Sequence, residues 1–411
     1  MGRMRALLQT MTAALLVVSL PTAAAAQDVQ TPDQSLLQDA VEYARAHAIS
    51  TEDGIRFLRA EQDSVAATDA IATEFRDRLA GISVEQDPAP RFVVLLTGNV
   101  PVPPRTLEVS GETISVIFRT GARATRAQIV TTLRASQSAL RRALPNARGS
   151  GLDQRTGELV LLVTSADAAR LGAPAIRTQA EAITGVPVSV RLSDGSQIDM
   201  AIAGGARVVG ANDDGRRAAC TSGFVVTDGI RDAIATAAHC PNTLLYLDPA
   251  GGQQPLDYVG QWGWSYQDVQ VNATPQALRP LFYSDPKSDA LRRLTSWRNR
   301  TSLRAGDFVC HYGETTGYSC AKVLLTDFAP PGDLCGGPCD PMWVTVAGPN
   351  CKSGDSGGPV FLGTTAIGIF KGGSGTASPR CNFYYFMSTD FLPRGWTLRT
   401  TEPAVAPGAS Q

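Results

Sequence analysis

The chain has 411 residues, enough for two or three domains, and its 43% apolar and 18% charged residues exclude a disordered polyelectrolyte and a multi-span membrane protein. The formal net charge of −1 leaves no overall field for nucleic acid or an anionic membrane, so we expect neither partner. The three histidines, at 47, 239 and 311, argue against a multi-histidine site, and we expect no metal and no cofactor.

Residues 1–26 have the pattern of a secretory signal. Arg3 and Arg5 precede an apolar run over residues 13–20, and three alanines at 24–26 form a small-residue cleavage site before Gln27. The apolar run is too short to span a bilayer. We therefore expect export, to the periplasm or the extracellular medium.

Residues 27–201 are predicted to form an α+β region without cysteine. Apolar residues recur at helical spacing between 30 and 85, including a helix over 69–82, and again over 126–144, 165–171 and 173–184. Short strands are predicted over 92–96, 113–119, 159–163 and 188–192.

From residue 219 onward, short β-rich runs alternate with turns about every ten residues, which predicts an antiparallel barrel or sandwich. All eight cysteines lie at or beyond residue 220, so this second region is expected to be stabilised by disulfides. The tail, residues 400–411, is predicted to be disordered.

Two segments carry nucleophile chemistry: TAAHC at 236–240 and GDSGGP at 354–359. A serine hydroxyl needs a base that accepts its proton, and His239 can be that base for Ser356. The reaction also needs backbone donors for the oxyanion, which are predicted to be the N–H groups of Gly354 and Ser356. The serine segment also fits the Gly-x-Ser-x-Gly elbow of α/β-hydrolases, but that fold places histidine after serine, and no histidine follows Ser356.

With these two segments, the loop CHYGETTGYSC at 310–320 and the GGSG run at 372–375 resemble the chymotrypsin-type serine proteases, in their bacterial α-lytic protease/streptogrisin branch. The resemblance implies two antiparallel β-barrels over residues 202–399 and a secreted serine endopeptidase. It also implies that residues 27–201 are a pro-region that aids folding and inhibits the enzyme until removed. We expect a monomer acting on proteins or peptides.

The resemblance also assigns the remaining site residues. Asp268, which heads an alternating run, is the expected triad acid; Asp257, Asp285 and Asp289 are the alternatives. Asn350, Gly372 and Gly373 are expected to form the primary pocket, and the uncharged Asn350 favours an apolar side chain before the cleaved bond. Self-cleavage is expected between Asp199 and Ala203.

The resemblance implies the disulfides Cys220–Cys240, Cys310–Cys320 and Cys351–Cys381, which leaves Cys335 and Cys339 to close a small loop. Half a metal site is the alternative for this last pair, but the chain has no matching ligands.

Two residues depart from the family pattern. His311 stands where the branch has arginine, and either pairs with Asp355 or is an ordinary loop histidine. Lys371 stands where the family has serine beside the triad aspartate; its ammonium either lowers the basicity of the triad or turns outward. Because of Lys371 and the front region, a second function stays open: the protein would be a non-catalytic binding protein with a protease fold. Its front region would then be an independent domain.

Overall fold

The computed structural model describes residues 29–86, 89–193, 196–199, 205–211, 215, 217–248, 253–262, 267–275, 277–284, 290–330, 335, 339–348, 350–375 and 381–401. The predicted signal at 1–26, most of the predicted tail and the alternative acids Asp285 and Asp289 lie outside these residues. Among the described residues, no helix is both long and apolar enough to cross a membrane.

The front half, residues 29–193, combines helices with strands as predicted. Its helices are α1 Pro32–His47, α2 Thr51–Asp63, α3 Val65–Glu74, α4 Arg126–Ala143, α5 Ser165–Leu171 and α6 Ala173–Thr184. Helices α1 and α4 each begin at a capping box, formed by Thr31 with Gln34 and by Thr125 with Gln128. In a capping box each side chain accepts a backbone N–H that the helix leaves without a partner, which fixes where the helix begins.

The strands of the front half form one complete sheet and part of another. They are β1 Val29–Gln30, β2 Leu79–Glu85, β3 Arg91–Thr97, β4 Arg105–Val109, β5 Glu112–Ala122, β6 Gly149–Asp153, β7 Glu158–Val163 and β8 Val188–Leu192. The first sheet has the order β2-β3-β5-β4. The helix predicted over 69–82 is wrong beyond Glu74, because β2 is buried and pairs with β3, where Ile82 lies opposite Val94.

The second half is almost entirely β-structure. After β9 Ser196–Asp199 come β10 Arg207–Ala211, β11 Arg217–Thr221, β12 Val225–Thr227, β13 Asp232–Thr236, β14 Thr243–Leu247, β15 Gln253–Trp262 and β16 Val269–Ala273. They are followed by β17 Leu281–Tyr283, β18 Leu291–Arg293, β19 Ser296–Trp297, β20 Phe308–Gly313, β21 Gly317–Ala329, β22 Trp343–Ala347, β23 Pro359–Leu362, β24 Thr365–Gly375, β25 Cys381–Ser388 and β26 Thr397–Leu398.

These strands form two antiparallel units, as the sequence predicts. The first, here called the His sheet, has the order β11-β10-β14-β15-β16-β13-β12-β26. The second, the Ser barrel, runs β20-β23-β24-β25-β22-β21 and closes through the pairing of β20 with β21. Two further strands extend this barrel: β6 of the front half pairs with β21, and β9, which follows the front half, pairs with β24.

One hydrophobic cluster joins the front half to the Ser barrel. Leu58 and Phe92 of the front half belong to it together with the barrel residues Phe308, Val360 and Phe361, all at most 1% exposed. Because these side chains share one buried volume, the two parts form a continuous core on this side of the molecule.

Candidate active site

Strand pairing brings His239 and Asp268 together. His239 follows the end of β13, and Asp268 directly precedes β16; because β13 and β16 are antiparallel, with Thr236 opposite Gln270, these ends are neighbours. Nδ1 of His239 lies 2.9 Å from Oδ2 of Asp268, and the backbone N–H of His239 donates to Oδ1 at 2.9 Å. The carboxylate thus holds both the ring and the main chain of the histidine.

Asp268 has the backbone conformation and the environment of a specialised residue. Its φ is 50°, a left-handed value that aspartate tolerates better than most residues. The side chain is buried, which opposes ionisation, but His239 and Lys371 outweigh burial and hold its pKa below the usual value. Of the alternative acids, Asp257 lies within β15, opposite Ala273 rather than beside His239.

Gln270, two residues after Asp268, is a buried polar side chain on β16. Its amide nitrogen donates to the carbonyl of Pro241 and to Oδ1 of Asn272, each at 3.1 Å. Pro241 follows the histidine loop, so this buried side chain braces that loop from strand β16. The disulfide Cys220–Cys240 ties the same loop to β11.

Ser356 lies in a tight turn that leads into β23. Gly354 and Gly357 flank it with φ values of 124° and 89°, which side chains rarely allow. A Cβ at Gly357 would come 2.2 Å from the carbonyl oxygen of Thr221. Thr221 also holds the turn, because its N–H donates to the carbonyl of Ser356 and its hydroxyl to that of Gly354. Sequence reasoning missed this role.

Lys371 connects the serine segment to the histidine and the aspartate. Its backbone carbonyl accepts a hydrogen bond from Oγ of Ser356 at 3.0 Å. Its Nζ lies 3.0 Å from Oδ2 of Asp268 and 2.9 Å from Nδ1 of His239. Of the two orientations that the sequence left open, the side chain therefore takes the inward one, where it is 3% exposed.

Both expectations for His311 are wrong: it does not pair with Asp355, and it is a buried residue of β20 rather than a loop histidine near the surface. His311 is buried against the rings of Phe370 and Tyr384, and its Nδ1 contacts the hydroxyl of Ser319. Burial lowers the pKa of His311 to about 3, so the ring is neutral at ordinary pH. Its position inside β20, opposite Ser319, turns the side chain towards the barrel interior.

Asp355 obtains its partners from the backbone and from a threonine instead. Its carboxylate accepts hydrogen bonds from the N–H and hydroxyl of Thr316 and from the N–H of Lys352. Burial raises its pKa to about 6, while these hydrogen bonds work in the opposite direction. Gly313 makes the approach possible, since a Cβ there would come 2.2 Å from Oδ1 of Asp355.

The predicted pocket residues lie on two neighbouring segments. Gly372 and Gly373 belong to β24, and Asn350, half-buried, directly precedes Cys351. A Cβ at Gly373 would come 2.3 Å from Sγ of Cys351, so glycine is required for the close approach of the Cys351–Cys381 disulfide. The pairs Cys310–Cys320 and Cys335–Cys339 are also present as predicted.

Strand β9 covers the pocket strand, a feature that sequence reasoning missed. Asp199 lies opposite Gly372, Ile198 opposite Gly373 and Gln197 opposite Ser374, in an antiparallel pairing. The end of the region predicted to be a pro-region therefore runs along the same strand edge at which the resemblance places a substrate.

Comparison with known proteins agrees with this picture. Over 173 residues the chain is 30% identical to Streptogrisin-C of Streptomyces griseus; the match covers 40% of this chain and 35% of that protein. The chain thus matches about a third of the length of this curated relative. No family model matches the chain.

Solved structures of bacterial proteases are also similar. The structures of Thermobifida fusca Protease A and of Cellulomonas bogoriensis chymotrypsin are each 22% identical, with a TM-score of 0.37, over 49% of this chain and 99% of theirs. Alpha-lytic protease homolog N4 is 20% identical over 46% of this chain and 94% of its own, with a TM-score of 0.33.

The closed β-barrel, the chain order histidine, aspartate, serine and the match to Streptogrisin-C all agree. They make the chain similar to a bacterial chymotrypsin-type serine protease.

Proposed function

We propose that this protein is a serine endopeptidase that uses Ser356, His239 and Asp268. The observation that carries the proposal is the contact between Nδ1 of His239 and the buried carboxylate of Asp268, at 2.9 Å. When Nδ1 carries a proton, this carboxylate holds it, and Nε2 is left to accept the proton of Ser356.

The proposed reaction proceeds through an acyl-enzyme. Oγ of Ser356 attacks the substrate carbonyl while His239 takes its proton; the N–H groups of Gly354 and Ser356 stabilise the resulting oxyanion. His239 then donates that proton to the leaving amine as the C–N bond breaks. A water molecule, deprotonated by His239, hydrolyses the ester and returns the free serine. Asp268 stays ionised throughout.

We further propose that the enzyme is made as a zymogen and that residues 27–201 are its pro-region. The pairing of β9 with β24 supports this, because it gives residues 196–199 the antiparallel path of a bound substrate. The last described pair, Asp199 with Gly372, lies next to Lys371, whose carbonyl contacts Ser356. We therefore propose that the cut lies within the expected window of 199–203, just beyond the paired segment.

Secretion through a signal at residues 1–26 completes the proposal. Four disulfides in the second half fit an oxidising compartment, where such bonds persist. We propose that the mature enzyme is a monomer that cleaves proteins or peptides.

Replacing the nucleophile tests the proposal. Ser356→Ala should lower kcat by about six orders of magnitude, and the secreted variant should retain the front half, as intact-mass analysis would show. A variant that keeps more than about 1% of wild-type turnover would contradict the assignment of Ser356. Identical masses for both proteins would contradict self-processing.

A non-catalytic binding protein is the second candidate, and the contact of Lys371 with His239 favours it, because an ammonium there opposes the charge that the base must acquire. A fluorophosphonate probe separates the two candidates. Labelling that disappears in Ser356→Ala supports the enzyme; no labelling of the wild-type protein over the whole range from neutral to alkaline pH supports the binding protein.

A further inference from the structure

Three polar atoms meet at the base of the proposed triad. Nζ of Lys371 lies 2.9 Å from Nδ1 of His239 and 3.0 Å from Oδ2 of Asp268. The same Oδ2 lies 2.9 Å from Nδ1. All three side chains are at most 5% exposed, so the protein and not water determines how the protons are shared.

Hydrogen-bond chemistry restricts how these atoms can be protonated. An ammonium group has donors and no acceptor, and a ring nitrogen that carries a proton has no acceptor either. If Nδ1 carried the proton that catalysis requires, two donors would face each other at 2.9 Å. The contact becomes a hydrogen bond when the ammonium donates to an unprotonated Nδ1, which puts the proton of the neutral ring on Nε2. Nδ1 and Oδ2 are then both acceptors, and the ammonium bridges them by donating to each.

We propose that the ammonium of Lys371 holds His239 in the tautomer with its proton on Nε2, so that the assembled site is latent. This inference rests on the proposed function and concerns its regulation. A ring with a proton on Nε2 cannot accept the proton of Ser356. The site becomes competent when the ammonium releases a proton to solvent: Nε2 then loses its proton, Nδ1 gains one, and Nδ1–H donates to Asp268.

Other ionisable groups among the described residues lie near this triangle. Strand β25, which is paired with β24, contributes Tyr384 and Tyr385. Asp355, next to Ser356, is engaged by Thr316 and Lys352, and His311 lies behind Phe370. Asp268 is thus the carboxylate that Lys371 and His239 share, and Lys371 acts on the serine through His239 as a positioning residue.

Substitution of Lys371 gives the kinetic test, with processed enzyme and a neutral peptide substrate. Lys371→Met keeps the length of the side chain and removes the charge, so kcat/KM at neutral pH should rise at least tenfold, up to about 10⁴, the cost of a wrong tautomer. Lys371→Arg keeps the charge and should not show this rise. Lys322→Met, on β21, is the matched control and should follow wild type.

A spectroscopic measurement decides the question without a change at Lys371. The ring ¹⁵N shifts of His239 in full-length Ser356→Ala, at about pH 8.5 where histidine is ordinarily neutral, should show a protonated Nε2 and an unprotonated Nδ1. Ser356→Ala/Lys371→Met should show the reverse. A protonated Nδ1 in the Ser356→Ala protein would overturn the inference, and so would a Lys371→Met enzyme no faster than wild type.

Failure of the proposed function gives a different result. In that case neither wild type nor Lys371→Met would cleave peptides at any pH, whatever tautomer the ¹⁵N shifts report. If Lys371→Met does not fold, the spectrum of Ser356→Ala still decides, because that protein keeps the lysine.

Discussion

The His sheet and the Ser barrel differ in how they relate to the front half. Hydrogen bonds join described residues of the front half to the Ser barrel, for example at Leu362 and Phe308. The His sheet, next to which His239 and Asp268 lie, meets the front half in a buried apolar cluster that Val160 and Leu162 share with strands β13 and β16. The proposed acid–base pair thus lies on a unit that packs against the front half, and the proposed nucleophile on one that is hydrogen-bonded to it.

The junction of the front half and the barrel contains buried polar contacts. Asp39 of α1 and Arg292 of β18 meet in a two-pronged ion pair at 2.9 and 3.0 Å, with both side chains 0% exposed. The hydroxyl of Tyr318 also donates to Asp39 at 2.6 Å. A buried charge that loses its partner is strongly destabilising. Separation of the front half would leave the buried Arg292 without its counter-charge until the residues around it rearrange.

The largest effect is expected from breaking this pair. Asp39→Ala in the Ser356→Ala chain should lower the free energy of unfolding by about 3–5 kcal/mol, because Arg292 stays buried without its counter-charge. Urea titration measures this. Arg134→Met, which removes an exposed ion pair with Asp340 across the same junction, is the control and should cost less than about 1 kcal/mol. Equal losses would show that the buried pair has no special role.

The shared core predicts which strands a cavity in the front half should destabilise. Leu58→Ala should cost about 2–5 kcal/mol, the range for a buried leucine. Hydrogen exchange should quicken in the barrel strands β20 and β23, which border the same cluster, and remain slow in β13 and β16 of the His sheet. Equal quickening in both units would contradict the distinction between them.

Glu61 makes the junction sensitive to pH. Burial, followed by the charge of Asp307, raises its pKa to about 8, so the folded protein binds this proton more tightly than the unfolded chain. Stability should therefore fall as pH rises from about 4.5 to about 8, by at most about 1.4 kcal/mol per pH unit from this residue. Urea midpoints across this range should show a shallower fall in Glu61→Gln. Parallel curves for the two proteins would mean that Glu61 does not titrate in this range.

The candidate site residues stand in local patterns that are visible in the sequence. Ser356 stands among glycines that its turn requires, and Asp268, which the structure places beside His239, directly precedes a strand whose alternation is visible in the chain. Sequence reasoning failed where the answer depends on a partner distant in sequence. The segment from Leu79 has apolar residues that fit a helix, and only pairing with β3 makes it a strand. The direction of His311 likewise follows from the register of β20.

Strand β9 also has a kinetic consequence. Residues 196–199 are joined to the barrel through the same chain and already lie on the edge of β24. Under the proposed self-processing, the first cut is therefore a reaction of a molecule with itself, in which a segment competes with outside substrates at the effective concentration set by its short tether. Its half-time should stay constant when freshly folded precursor is diluted a hundredfold, whereas cleavage between molecules would slow in proportion.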